Sequence, residues 1–375
     1  ARILGLTSGV SPQIVLELKP RDALLQRRYY DSTTYLLRRV ETQGYDGHTR
    51  VNEYDDYRPF EGLQVARTER YHDGNSDNDT STQVVSLERT GAVDPSSLAI
   101  PASNKPFTFA SDATVEIPAT FTSSGIVVRL NVNGRGLDFI LDSGASGVFI
   151  DRRTAQSLGM TLYGRNVETI GGDFSISTAR MPDLSMGPVR AHNLAVSVVP
   201  YTHADGDLKI VGLLGSDFFE SGVVTVDFRN QRVTISPRLA SPVTGFSKVP
   251  ISTDDYVPLV TAAFNGKDGH FIADLGGTVT VLYSHYFSQF KAPNESDDDN
   301  PGLTFVGGAT KTRNYRLSTL NLGDYDVHDV EVAVPSNLKV EGQDYDGLIG
   351  RDILRFFTVI FDYSDAALYV KPYDQ

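Results

Sequence analysis

Phe139-Ile140-Leu141-Asp142-Ser143-Gly144-Ala145-Ser146-Gly147-Val148-Phe149-Ile150 sets one carboxylate and a tight Ser-Gly turn between two apolar runs. The runs read as buried strands, and the turn residues as the loop that joins them. By itself Asp-Ser-Gly is an ordinary turn, because these are the commonest turn residues. The stretch gains weight because it recurs: Phe271-Ile272-Ala273-Asp274-Leu275-Gly276-Gly277-Thr278 places its Asp 132 positions after Asp142.

The repeat extends in both directions. Upstream of each Asp, a strand pattern (Ile126–Val132, Leu259–Phe264) is followed by Asn-Gly (Asn133-Gly134, Asn265-Gly266), a hairpin signal because Asn and Gly tolerate positive φ. Downstream, residues 151–159 and 284–290 read as short helices, the first with an Asp cap and a Gly stop. Ile170-Gly171-Gly172 answers Val306-Gly307-Gly308, and Leu184-Ser185-Met186-Gly187 answers Leu320-Asn321-Leu322-Gly323. Gly212-Leu213-Leu214-Gly215-Ser216-Asp217 answers Gly347-Leu348-Ile349-Gly350-Arg351-Asp352, and each leads into a further strand ending in Asp and an aromatic. The chain therefore holds two copies of one β-rich unit, each delivering one Asp to the end of an apolar strand. A lone buried carboxylate is costly, so the economical arrangement has the two aspartates facing one another.

Composition limits the alternatives. The 375 residues suffice for two or three domains, and 40% hydrophobic with 22% charged residues is ordinary for a globular protein. With 47 acidic against 34 basic residues the formal net charge is -13, which argues against a nucleic-acid surface. There is no cysteine, which removes disulfides, thiol nucleophiles and thiolate metal sites together. No apolar run reaches membrane-spanning length, and no leader-like segment precedes Ala1, so any export signal is expected to be absent or already removed. The seven histidines show no metal-ligand spacing, so no metal and no cofactor is expected. Ser336-Asn337-Leu338-Lys339 has a Ser-x-x-Lys spacing without companion motifs, and the Asp297-Asp298-Asp299 run lacks the spaced oxygens of a calcium loop.

The first hundred residues differ in character. Short alternating segments at 13–18, 34–41, 50–54 and 83–88, separated by Gly and Asp turns, predict an antiparallel meander with one wet face. Residues 88–112, with Pro95, Pro101 and Pro106, read as a linker. The expected organisation is mainly β: an accessory antiparallel sheet over residues 1–113, then two homologous lobes over 114–240 and 241–375.

Across residues 124–373 the paired motifs resemble the aspartic protease family: pepsin-like in joining two lobes in one chain, retropepsin-like in lobe size and in the wording Asp-Ser-Gly-Ala. The resemblance implies an endopeptidase in which Asp142 and Asp274, one from each lobe, share a proton and activate a water. It implies supporting roles in the active-site loops for Ser143, Gly144, Ser146, Gly276 and Thr278. It also implies a covering flap near residues 169–178, with Gly171 and Gly172 at its bend and Phe174 against substrate, and a matching hairpin at 305–312. The family's flap tyrosine has no secure counterpart, Tyr163 being the nearest candidate. One position departs from the pattern: where the family has a hydroxyl residue after each Asp, the first copy has Ser143 and the second Leu275. That departure leaves open a weakened enzyme, or a two-lobed protein that binds peptide or lipid. The order Tyr30-Asp31, Tyr57-Arg58-Pro59-Phe60-Glu61-Gly62-Leu63 and Asp94-Pro95 resembles the later part of bacterial lipoprotein-carrier-like domains, which implies a lipid or protein partner for the accessory sheet. Together the resemblances imply a bacterial periplasmic or secreted protein acting on peptide or protein substrates.

Overall fold

The computed structural model describes the chain apart from residues 20–24, 44–48, 75, 77–78, 90, 92–104, 170–172, 202, 240–242, 253–255, 292–293, 296–302, 306–307, 337–344 and 374–375. Contacts divide it into two compact units, one built on Ala1–Ser103 and the other on Asn104–Leu338 with Tyr345–Gln375.

The first unit is a seven-stranded antiparallel meander whose strands pair in chain order. Strands Arg2–Leu6, Gln26–Asp31 and Leu63–His72 join the expected segments. Leu63–His72 hairpins back from Thr49–Phe60 through Glu61-Gly62, both at positive φ (48° and 84°). The segment at 83–88 is a correction: the strand is Thr80–Gln83, and only Val84 adds one more backbone bond, to the Arg67 carbonyl at 2.8 Å. Register places Ile3, Leu16, Arg28 and Val40 on one face, while the other carries ion pairs such as Glu17 with Arg2 and Arg27. That alternation is the period-2 pattern of a sheet with one polar face.

The second unit begins earlier than the expected boundary at 113. Strand Phe107–Phe109 already pairs with Val189–Ala191, and the buried Phe107 ring meets Phe218 edge-on at 5.3 Å. An aromatic contact of that kind commits the segment to the lobe core.

Each lobe is built in the same way. Ile126–Val132 turns through Asn133 and Gly134 (φ 52° and 82°) into Arg135–Leu141, and Leu259–Phe264 turns through Asn265 and Gly266 (46° and 72°) into Lys267–Ala273. A later strand then inserts beside the Asp-bearing one. Leu208–Leu214 runs parallel to Arg135–Leu141 and antiparallel to Val148–Asp151; Gly347–Ile349 does the same with Lys267–Ala273 and Val281–Leu282. Phe139 pairs with Gly212 and Phe271 with Gly347, so the two registers are equivalent.

The repeated glycines follow from this insertion. A Cβ on Gly212 would collide with the Phe149 carbonyl oxygen, and one on Gly347 with the equivalent Val281 oxygen. Gly215 and Gly350 press in the same way on the carbonyls of Ala145 and Gly147 and of Val279. The aspartates two residues on pin the neighbouring strand: Asp217 Oδ2 accepts from the Val148 N–H (3.1 Å) and Asp352 Oδ2 from the Thr280 N–H (2.9 Å). The first short helix, Arg152–Ser157, is capped by the Asp151 carboxylate on the Thr154 N–H, and its counterpart is Ser284–Phe287.

The lobes join through six antiparallel strands in the order Val115–Ile117, Arg232–Ser236, Val223–Asp227, Phe357–Asp362, Ala367–Pro372, Ser247–Ser252, three from each. At the seam Val224 faces Phe361, Thr225 faces Ile360 and Val226 faces Val359. These pairs exchange under the 135-residue repeat, and Thr225 meets its own equivalent, so a local two-fold axis runs through that pair.

Gly212→Ala should lower stability by about 1–3 kcal/mol, the usual cost of forcing a methyl into packed structure. A urea unfolding midpoint unchanged from wild type would contradict the close-packed insertion.

Candidate active site

Asp142 and Asp274 each sit just past the end of an apolar strand and are fixed by the inserted strand beside it. The Asp142 N–H donates to the Leu214 carbonyl (3.0 Å) and the Asp274 N–H to the Ile349 carbonyl (2.9 Å). The turns then fold back: the Gly144 N–H donates to Asp142 Oδ1 (2.9 Å) and the Gly276 N–H to Asp274 Oδ1 (2.8 Å).

The same two glycines make the crossing between lobes. A Cβ on Gly144 would stand 2.7 Å from Asp274 Cγ, and one on Gly276 would overlap the Asp142 carboxyl. Each carboxylate is thus oriented by the glycine of its own loop and packed against the α-carbon of the other. The carboxyls are half-buried side by side. Burial pushes Asp142 well above the usual carboxylate range, and the charge of Asp274 and a hydrogen bond to it add to the rise. Asp274 also rises through burial, but the N–H groups of Gly277 and Gly276, the hydrogen bond from Asp142 and the Arg351 cation pull it back. Both carboxyls rise, so the two titrate as a coupled pair and not as independent groups.

One hydroxyl ties the loops together. Ser143 Oγ donates to the Ala273 carbonyl (2.7 Å) and accepts from the Leu275 N–H (2.9 Å), both in the other lobe. Ser143 is fully buried, and the Leu275 side chain, also fully buried, joins the hydrophobic core in place of a second hydroxyl.

Asp142, Ser143, Gly144, Asp274 and Gly276 therefore meet at one place. Ser146 and Thr278 are exposed, and neither hydroxyl has a hydrogen bond among the described residues. The threonine that does bond is Thr280: its Oγ1 donates to Asp352 Oδ1 (2.8 Å) and accepts from the Gly350 N–H (3.1 Å). The hairpin at 169–178 exists as Leu162–Thr169 paired with Asp173–Met181, with Phe174 buried and Tyr163 exposed opposite Thr178. Gly171 and Gly172 lie outside the described residues. Leu303–Phe305 and Gly308–Thr310 form the matching hairpin of the second lobe.

Residues that sequence reasoning missed surround the pair. Burial, with the charge of Asp142 nearby, pushes the Tyr201 hydroxyl up to about 12; burial, Tyr345 and Asp274 do the same more strongly to Tyr283. Burial likewise raises Tyr363, which feels Glu220 and Asp142. Arg351, whose counterpart in the first copy is Ser216, is in electrostatic reach of both aspartates. Among the described residues no group of three or more His, Asp or Glu could hold a metal ion, and no helix is long and apolar enough to cross a membrane.

Two regions of the chain, residues 128–218 and 260–353, match the aspartyl protease family, which supports a two-lobed aspartic protease. No curated protein matches the chain. Among solved structures it resembles the aspartic proteinase from Irpex lacteus, at 15% identity and a TM-score of 0.47, over 69% of this chain and 97% of that one.

Ser143→Ala leaves the Ala273 carbonyl and the Leu275 N–H unpaired, at roughly 1–3 kcal/mol for each buried group. The expected result is a lower unfolding midpoint with reduced turnover; a variant with wild-type stability would show that the tie contributes nothing.

Proposed function

We propose that this two-lobed chain, each lobe of which matches the aspartyl protease family, is an endopeptidase that hydrolyses peptide bonds with a water held between Asp142 and Asp274. The observation that carries the reading is the pairing of two half-buried carboxyls, each held by its own glycine N–H and each backed by the glycine of the opposite loop. Two such groups cannot both ionise cheaply, so one proton is shared across a working pH range.

The roles follow from the asymmetry of the pair. Ionised Asp274 takes a proton from the water, whose oxygen attacks the peptide carbonyl carbon while protonated Asp142 gives its proton to the carbonyl oxygen. Asp274 then passes its proton to the amide nitrogen, the C–N bond breaks, and the hydroxyl proton returns to Asp142. Charge develops on the carbonyl oxygen only as Asp142 neutralises it. The Ser143 tie supports this reading, because one hydroxyl making both cross-lobe bonds keeps the loops in register although Leu275 makes none through its side chain.

Asp142→Asn and Asp274→Asn should each abolish cleavage of a peptide library while keeping the fold, and pepstatin should inhibit the wild type. Full activity in either variant would remove the dyad from the mechanism; co-purified acyl chains with no cleavage would favour a binding protein. A stability signature accompanies the loss. Because both carboxyls are raised in the folded state, the native chain holds more protons than the unfolded one above the unfolded value of about 3.9, and stability falls as pH rises from there. Asp142→Asn should therefore gain in melting temperature relative to wild type as pH is raised from about 4. A constant difference across pH would mean that the pair is not strained by its own charge.

A further inference from the structure

The two copies differ at the residue following the second glycine of the inserted strand. In the first copy it is Ser216, buried, its N–H donating to the Ala145 carbonyl at 2.9 Å. In the second it is Arg351, whose N–H makes the equivalent bond to the Gly277 carbonyl, also at 2.9 Å. The backbone is thus duplicated and the side chain is not. Gly277 itself lies against Asp274, with its Cβ position 2.8 Å from Oδ2, so Arg351 leaves the chain directly behind the second aspartate loop.

From there the guanidinium crosses to the first lobe. It donates from Nη1 to the Thr122 carbonyl (3.3 Å) and from Nη2 to the Ser123 carbonyl (3.0 Å), while its Nε is buried with no hydrogen-bond partner among the described residues. The acceptors belong to a turn closed by Thr122 and Gly125, and Gly125 packs on Ile140, two residues before Asp142. The cation has no carboxylate within ion-pair distance among the described residues, and a half-buried, unpaired charge is costly unless a more distant anion compensates it. The anions in electrostatic reach are Asp274, Asp352 and Asp142, in falling order of effect. Asp352 is committed to the Thr280 N–H and hydroxyl.

Resting on the endopeptidase reading, we propose that Arg351 is a positioning residue for the catalytic pair: it spans the lobes behind the Asp274 loop and supplies the fixed positive charge that stabilises the pair's single negative charge. The neighbouring titratable groups do not supply this charge. Tyr201, Tyr283 and Tyr363 are raised and stay neutral in acid and neutral solution, Asp217 and Glu220 are acidic and raised by burial, and the cation Arg355 is exposed.

A positive charge favours both deprotonations of the pair, so removing it moves both limbs of the pH–activity curve to higher pH. The test is the pH profile of kcat/KM for wild type, Arg351→Gln and Arg351→Lys, with unfolding curves alongside. Arg351→Gln should shift both limbs upward by roughly half a pH unit or more. Arg351→Lys, which keeps the charge but loses the two-pronged reach, should stay close to the wild-type profile while melting lower. A Gln profile superimposed on wild type, or a Lys profile displaced as far as the Gln one, would overturn the assignment and leave a purely structural clasp. If Arg351→Gln fails to fold, the Lys profile alone decides: coincidence with wild type supports the charge, and displacement refutes it. A wild-type chain that cleaves nothing at any pH would instead overturn the endopeptidase reading itself.

Discussion

Two carboxylates repel, and everything at the centre of this molecule serves to hold two of them together. The contact that permits it is the crossed packing of Gly144 on Asp274 and Gly276 on Asp142. Any side chain at either glycine would separate the lobes. The glycines also supply the N–H groups that orient the carboxylates, so close approach and orientation come from the same two residues. Behind them the inserted strands set the height of each loop through the Leu214 and Ile349 carbonyls, and the four glycines of those strands let backbone lie on backbone. The six-stranded seam then fixes the distance between lobes.

Much of this was legible because the chain states it twice. A single Asp-Ser-Gly carries little information, but the spacing of Asp142 and Asp274, with the glycine pairs at 212, 215, 347 and 350, identified the strands, the loops and the pairing of the carboxylates. Hydroxyls were harder to read. Ser146 and Thr278 stand at equivalent positions four residues after their aspartates and face solvent, whereas Thr280 makes the hydrogen bonds, because its partner Asp352 comes from 72 positions further along the chain. Asp217 and Asp352 were visible as repeated letters without a role. Tyr201, Tyr283 and Arg351 carried no local signal, since what matters about them is proximity to a charge distant in sequence. The accessory sheet shows the same limit on a smaller scale: alternation gave its character, but Leu63–His72 shows only as the return of the Glu61-Gly62 hairpin.

Leu275 is the instructive departure. Its side chain is buried in the core, so it strengthens apolar packing where a hydroxyl would have bonded across the lobes. Ser143 alone then makes both side-chain bonds that tie the two aspartate loops, one as donor and one as acceptor. The tie has become one-sided without being broken, and the first lobe holds the second more than it is held. Arg351 leans the other way, reaching from the second lobe to carbonyls of the first.

The axis through Thr225 and Ile360 gives these asymmetries a history. A lobe whose free strand edge is complementary to itself can pair with an identical copy, so this seam is one that two separate, identical chains could form. In such a dimer every substitution appears at both sites: a leucine after one aspartate would abolish both hydroxyls, and an arginine behind one loop would place a second cation behind the other. Joining the halves in one polypeptide releases them from that duplication. Leucine at 275 opposite serine at 143, and arginine at 351 opposite serine at 216, are combinations open only to a tethered pair, in which the two halves can specialise independently.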